Sequence, residues 1–423
     1  MSYKRDEMKD IFKKIIISQQ EWLSRLEIIP RNIELEQHAN YIFTGLRRAG
    51  KSYVLYQVIQ ELCKDKNYEQ IIFINFEDER LSEIDSNDLQ MILDAYYELY
   101  DKKPILFFDE IQNVPQWQKF VRRLADQGFQ LYISGSNANM LSSEIASTLG
   151  GRFINKEILP LSFAEFLQFQ KIPFSAKSKY TEERFAIKKA YSGYLHFGGF
   201  PELLRFENKR DYLSSVYQKL FFGDLIARYS ISNVNVLRLL VKKMAESVNN
   251  ETSVSRIKNL IKSTGVAIGS NTLFDYLGYL ENSYLIASLS NYHSKFTERE
   301  SSKKYYFLDT GILGLFLMDQ DTKLLENQVY IELRRRGLSP YFLKRNTEVD
   351  FYVPEENLLV QVSYSLDNPE TYKREIKALT EAMKEFKLKD ALILTYDEEK
   401  TIETAEGKIQ VLPLWQWMLE SKY

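Results

Sequence analysis

Residues Gly45-Leu46-Arg47-Arg48-Ala49-Gly50-Lys51-Ser52 complete the pattern G-x-x-x-x-G-K-[ST]. The pattern works in one setting only. Its glycines let successive backbone N–H groups converge on phosphate oxygens, where a Cβ would obstruct the turn. A strand must deliver the chain to the loop, and a helix must carry it away with the positive end of its dipole facing the anion. Both neighbours are legible: the apolar run "NYIFT" precedes Gly45, and the helix-patterned "KSYVLYQVIQELCKD" follows Gly50. Lys51 is expected to reach the β- and γ-phosphates, and the Ser52 hydroxyl to ligate Mg2+. Leu46, Arg47, Arg48 and Ala49 supply backbone to the cradle, and Tyr53 follows directly behind it. The competing reading is a glycine turn with no ligand. Arg47 and Arg48 lie in the variable interior, where backbone makes the cradle; their side chains either add charge near the phosphates or pair with acids such as Asp78 or Glu79.

The loop predicts what should follow it. "QIIFINFE", "PILFFDE" and "FQLYISGS" are short apolar runs separated by helix-patterned segments such as "LQMILDAYYELY". Continuous apolar strands alternating with helices imply a parallel sheet covered on both faces. The run Ile105–Phe108 ends in Asp109 and Glu110. At the carboxyl end of a strand, Asp109 is expected to hold Mg2+ through water and Glu110 to polarise the attacking water of ATP hydrolysis. In "YISGSNANM", Ser136 or Asn137 at the next strand tip is a candidate sensor of the γ-phosphate; both are also good turn residues. Arg152, after Gly150-Gly151, reads either as a finger on the transferring phosphate or as a surface arginine behind a helix C-cap.

Beyond about residue 160 the texture becomes helical and aromatic. Residues 252–292 read as helix, glycine-bearing turn, second helix and strand, a winged helix-turn-helix order. In the second helix Leu273, Tyr276, Leu277 and Leu280 fall on one face, with Ser270 or Asn271 as the expected cap. That helix offers no cation to base edges, whereas Arg256, Lys258 and Lys262 on the preceding one can touch phosphates. "GGFP" at 198–201 reads as a tight turn, and "RRRG" at 334–337 as a solvated helix end.

These stretches together resemble an AAA-type P-loop ATPase family of bacteria and archaea that carries a C-terminal region of unknown function. The resemblance rests on "GLRRAGKS", "FFDEIQNVPQW", "YISGSNANML", "LGGRF", "LPLSFAEFL", "GGFPELL", "LFFGDLIARY", "KKYYFLDTGI", "LENQVYIELRRRG" and "TEVDFYV". It implies an α/β P-loop sheet of the additional-strand type over residues 1–160. A helical and winged-helix region over 161–318 and a PD-(D/E)xK nuclease-like α/β domain over 319–423 are implied to follow. In the last, Asp350 and Gln361 on neighbouring strands and Glu326 on the preceding helix are the candidate centre. Ser363 stands where the chemistry needs a lysine, so cleavage is not expected unless Lys373 or Arg374 migrates in.

Composition limits the alternatives. A formal net charge of −2 provides no global basic field, so DNA or RNA contact would have to come from local patches. Cys63 is the only cysteine, which excludes an internal disulfide and fits a reducing cytoplasm. The opening "MSYKRDEMKDIFKKIIISQQ" lacks the apolar core of a signal peptide, and no stretch has the length of a membrane span. The expectation is a cytoplasmic protein using ATP and Mg2+ to switch its C-terminal domains, with a protein partner and oligomerisation both open. The alternatives are an ATP-gated nucleic-acid-processing protein and a nucleotide-switched scaffold with little turnover.

Overall fold

The computed structural model describes residues 2–64, 67–141, 143–318 and 321–420. Two compact units divide the chain, Met1–Ile158 and Leu159–Tyr423.

The first unit opens with helix α1 (Ser2–Arg25) and then alternates β1 (Asn40–Thr44), α2 (Lys51–Cys63), β2 (Ile71–Asn75), α3 (Gln90–Tyr97), β3 (Ile105–Asp109), α4 (Trp117–Asp126), β4 (Leu131–Gly135), α5 (Ser143–Leu149) and β5 (Phe153–Glu157). The sheet is wholly parallel in the order β2-β3-β4-β1-β5. β4 therefore lies between the strand that leads into the phosphate loop and the strand that ends in Asp109, the additional-strand arrangement. Both sheet faces are covered, which is why the inner strands read as continuous apolar runs. One face carries Ile42, Ile72, Ile74, Leu106, Phe108, Leu131 and Ile133 against Phe12, Ile15 and Ile16 of α1. The other is aromatic: Tyr132 stacks between Tyr41 and Phe107, with ring centroids 6.1 and 4.8 Å away. Each such fully buried side chain contributes about 1.5–3 kcal/mol relative to exposure. Gln20 of α1 donates to the Ile71 carbonyl at 2.9 Å and accepts from the Tyr100 hydroxyl at 2.8 Å, anchoring the helix to the β2 edge.

The second unit begins with α6 (Phe163–Phe169), α7 (Glu183–Phe197), α8 (Lys209–Lys219) and α9 (Val234–Ser247). Next come β6 (Thr252–Ser253), α10 (Val254–Lys262), α11 (Ser270–Asn282), β7 (Ile286–Leu289), α12 (Phe296–Ser301) and β8 (Ser302–Phe307). β6, β8 and β7 form a small antiparallel sheet in that order. The elements α13 (Thr310–Gly314), α14 (Asp321–Arg335), β9 (Tyr341–Lys344), β10 (Glu348–Val353), β11 (Leu358–Val362), α15 (Pro369–Phe386), β12 (Asp390–Thr395), β13 (Lys400–Glu403), β14 (Lys408–Pro413) and α16 (Leu414–Leu419) complete it. Their sheet is mixed, ordered β13-β14-β12-β11-β10-β9, with β11, β12 and β14 parallel and the rest antiparallel. Leu379 and Met383 of α15 pack on Ile393 and Leu359 of that sheet.

Two local expectations change, and the turn expected at Gly198-Gly199 is present with a partner. α11 buries Leu273, Tyr276, Leu277 and Leu280, but Gly269 is its N-cap and neither Ser270 nor Asn271 caps it. "RRRG" is not solvated: Arg335 donates to the carbonyls of Pro160 (2.8 Å) and Leu161 (3.3 Å). Arg336 donates to the Trp417 carbonyl at 2.8 Å and stacks 4.0 Å from the Trp417 ring centre. The Gly198-Gly199 turn is clasped by buried Asp309, whose carboxylate accepts from Gly199 N (2.9 Å) and Ile312 N (3.0 Å) and caps α13. Burial pushes the Asp309 carboxyl up to about 6, although those N–H groups pull the other way.

Candidate nucleotide-binding site

In a parallel sheet every strand presents its carboxyl end to the same edge. The Gly45–Ser52 loop after β1, Asp109-Glu110 at the end of β3 and Ser136-Asn137 after β4 meet there, because Thr44 pairs with Gly135 and Phe108 with Ile133. Gly45 is required twice over: its φ is +142°, and a Cβ would fall 2.2 Å from the Ile158 carbonyl oxygen. Gly50 is the left-handed N-cap of α2, with φ 98°. Arg48 adopts φ 62°, so two left-handed residues bend the loop. Leu46 and Ala49 are buried, and Ala49 N donates to the Leu46 carbonyl at 3.1 Å, closing a turn within the loop.

Lys51 is buried and donates to the carbonyls of Gly45 and Leu46, both at 3.1 Å, so it folds back over the loop. Its Nζ lies 3.9 Å from Glu110 Oε1. Ser52 Oγ donates to Asp109 Oδ2 at 2.7 Å, and Asp109 Oδ1 accepts from Ser134. Burial, then the neighbouring Glu110 charge, pushes the Asp109 carboxyl up to about 6 against Ser134, Ser52 and Lys51. Burial also acts on Glu110, but Lys51, Gln112, Arg47 and Ser136 together hold it below the usual carboxylate range. Glu110 has left-handed backbone, φ 52°, and its Oε2 accepts from Gln112, from Ser136 Oγ (3.1 Å) and from Ser136 N (3.3 Å). A non-glycine residue in that conformation is sustained only by surrounding structure, and here the side chain is held from two elements.

Arg47 pairs with Glu77 at 2.7 Å, and Asp78 binds Arg80. Arg48 and Tyr53 are exposed at the loop's rim. The Tyr53 ring meets Tyr56 edge-on, and Trp22 of α1 meets Tyr56 from another side at 5.1 Å. Asn137 is buried beside Ser136. Arg152 is not brought to this edge. The register Asn40 with Phe153 and Thr44 with Glu157 sets it at the amino end of the sheet, a strand length (~16 Å) from Gly45. There it pairs with Asp126 and bonds the Gly150 carbonyl at 3.1 Å. Three participants had no signal in the sequence: Ser134, Gln112 and Arg31, whose guanidinium supports the loop from beneath through the Ala49 carbonyl at 3.0 Å.

The donor set fits Mg2+. A hydroxyl and a carboxylate, hard oxygen ligands already 2.7 Å apart, stand beside a loop built for phosphate.

A second convergence lies in the other unit. Glu326, Asp350 and Gln361 are brought together: Gln361 accepts from Asp350 N at 3.1 Å, and both acids contact Lys304. Lys373 and Arg374 are exposed; Arg374 pairs with Glu375, the buried acid that accepts from Gln361, while the cation touching Glu326 and Asp350 is Lys304 of β8. Ser363 turns away to the Ser365 carbonyl.

A parallel P-loop sheet with this loop at its carboxyl edge defines a nucleotide-binding protein of the AAA type, and residues 37–167 match the AAA domain family. Residues 188–323 match a domain of unknown function. The chain is 38% identical to the uncharacterized protein MJ1544 of Methanocaldococcus jannaschii, covering 97% of this chain and 96% of that protein. It is 30% identical to an uncharacterized protein of Haemophilus influenzae, covering 77% and 82%. A Walker-type ATPase of Pyrococcus abyssi aligns at 14% identity with a TM-score of 0.43, over 66% of this chain and 91% of that one. The chain belongs to the family of the Methanocaldococcus and Haemophilus proteins. Among the described residues no helix is long and apolar enough to cross a membrane.

Proposed function

We propose that the chain hydrolyses ATP to ADP and phosphate with Mg2+, and that the cycle switches its C-terminal domains. The observation that carries this reading is the Ser52–Asp109 hydrogen bond of 2.7 Å beside the Lys51–Glu110 pair. It sets the loop, a metal-binding carboxylate and a second carboxylate on one sheet edge. Backbone N–H groups of Gly45 to Ser52 receive the phosphates, and Tyr53 flanks the nucleotide. Lys51 leaves the Gly45 and Leu46 carbonyls for the β- and γ-phosphate oxygens. Ser52 and Asp109 hold Mg2+, which supplies charge neutralisation on those phosphates. Glu110, ionised at neutral pH, orients and polarises the attacking water. Ser136 positions Glu110, and Asn137 reads the γ-phosphate from the adjacent strand tip. The placement of Arg152 supports no role at the nucleotide of its own chain.

The ATP-binding domain is taken as residues 1–160. In residues 161–318, the order α10–α11–β7–β8 with antiparallel β6 supports a winged helix. Its α11 exposes Asn271, Phe274 and Asp275 and no cation, which favours packing or partner contact over reading bases. The mixed sheet of residues 319–423, with Glu326, Asp350 and Gln361 at one point, supports a nuclease-like fold that does not cleave. The test is paired: Lys51→Ala removes ATP binding, and Glu110→Gln keeps binding but stops turnover. Normal hydrolysis by Glu110→Gln would refute the assignment.

A further inference from the structure

The carboxylates of residues 319–423 surround a lysine rather than an open space. β8 alternates, so Lys304 and Tyr306 share a face, and both side chains enter the cluster. Lys304 is 0% exposed. Its Nζ lies 2.8 Å from Glu348 Oε1, 3.4 Å from Asp350 Oδ1 and 3.5 Å from Glu326 Oε1. Tyr306 donates to Glu326 Oε1 at 2.7 Å. The second Asp350 oxygen accepts from Val362 N at 3.0 Å. Gln361 donates to Glu375, so its amide is fixed as well.

Buried Glu326 and Asp350, converging with half-buried Glu348, need a cation, because Lys344, 3.4 Å from Glu348, offsets only part of their desolvation and mutual repulsion. Burial and then the Asp350 charge push Glu326 up to about 7, and burial raises Asp350 too. Burial disfavours the Lys304 ammonium, yet Glu326, Asp350 and Glu348 outweigh it and keep the charge on. A lysine that stabilised a developing phosphate would need a face open to substrate, and Lys304 has none.

We propose that the Lys304 ammonium is the resident cation of this centre, standing where a divalent metal would bind and closing the centre to it. The three carboxylates are thereby retained for cohesion between β8, α14 and β10. This deepens the reading of residues 319–423 as a nuclease-like fold that does not cleave: the cation position is already filled from outside that segment. Removing the ammonium while leaving the acids opens the position to a divalent ion.

The test is Mn2+ binding to the full-length, nucleotide-free chain, counted by electron paramagnetic resonance. Any Mn2+ held at Asp109 is common to all variants. Lys304→Ala is expected to bind one more Mn2+ per chain than wild type, and Lys304→Ala/Asp350→Asn to lose it. Saturating Mn2+ should also raise the Tm of Lys304→Ala by roughly 5 °C at about 100 times Kd, and not that of the double variant. A folded Lys304→Ala with no added site overturns the proposal, as does one that stays unfolded at every Mn2+ concentration. The wild type provides an independent arm. Asp350→Asn should leave its Mn2+ count unchanged, and loss of a site there overturns the proposal without any lysine variant. Loss of that site with no DNA cleavage sinks only the lysine inference; Mn2+-dependent cleavage abolished by Asp350→Asn sinks the non-cleaving reading as well.

Discussion

Replacing Asp109 by Asn should stabilise the nucleotide-free protein while ending hydrolysis, and the gain should depend on pH. The Asp109 carboxyl ordinarily titrates at 3.8 and stands at about 6 in the fold. A folded value above the unfolded one means that the favourable protonated form is fully available below about pH 4 and lost as pH rises through about 6. At pH 8 the ionised, buried Asp109 therefore costs about 3 kcal/mol, at 1.36 kcal/mol per pKa unit. An Asn side chain removes that cost. It also points an amide N–H2 at one of the two hydroxyls, Ser52 or Ser134, that now donate to Asp109, which takes back about 1 kcal/mol. The net gain is about 2 kcal/mol, or roughly 4–8 °C in the melting transition of a 158-residue unit. Calorimetry in EDTA at pH 8 and pH 4.5 measures it. The gain should be present at pH 8 and absent at pH 4.5, where wild-type Asp109 is protonated. A variant less stable than wild type at pH 8, or one stabilised equally at both pH values, refutes the reasoning.

Two further outcomes concern the second unit. Gly198→Ala meets both a φ of +76° and an Asp309 carboxylate oxygen 2.3 Å from the new Cβ. The left-handed strain and the displaced cap should together lower unfolding free energy by about 3 kcal/mol in urea titration; a change under a few tenths would contradict the clasp. Arg336→Ala gives up the bond to the Trp417 carbonyl and the stacking on its ring, about 2–3 kcal/mol, read as a lower urea midpoint. A neutral effect would restore the solvated reading of that helix end.

The candidate site was legible in sequence to the extent that its geometry is local. Gly45, Gly50, Lys51 and Ser52 belong to a tightly curled loop between a strand and a helix, so residue type and spacing carry the information. Asp109 and Glu110 are legible because a parallel strand ends where its apolar run ends. Ser134 and Gln112 left no trace, since their roles arise from strand neighbours and from a turn after Glu110. Arg152 misled because a glycine pair before an arginine says nothing about which end of the strand it occupies; the β1–β5 register decides that. Lys304 was invisible as a partner of Asp350 because 46 residues separate them, and the cations nearest in sequence to Gln361 and Ser363 are Lys373 and Arg374. The arginines of "RRRG" read as solvent-facing until Trp417, 81 residues beyond Arg336, covers them. The α1 helix leaves little signal in the sequence because its buried face, Phe12, Ile15, Ile16 and Leu23, is diluted by lysines and glutamines.

The central claim is that the edge holding Lys51, Asp109 and Glu110 is a hydrolytic site. Phosphate release by wild type and by Glu110→Gln, at ATP and Mg2+ concentrations that give both equal nucleotide occupancy, tests it most directly. The account predicts steady phosphate release from wild type and at least a tenfold lower rate from Glu110→Gln, since a positioned general base contributes about 10²–10⁴-fold. Equal rates in the two proteins, or tight ATP binding with no phosphate released by wild type, would contradict it.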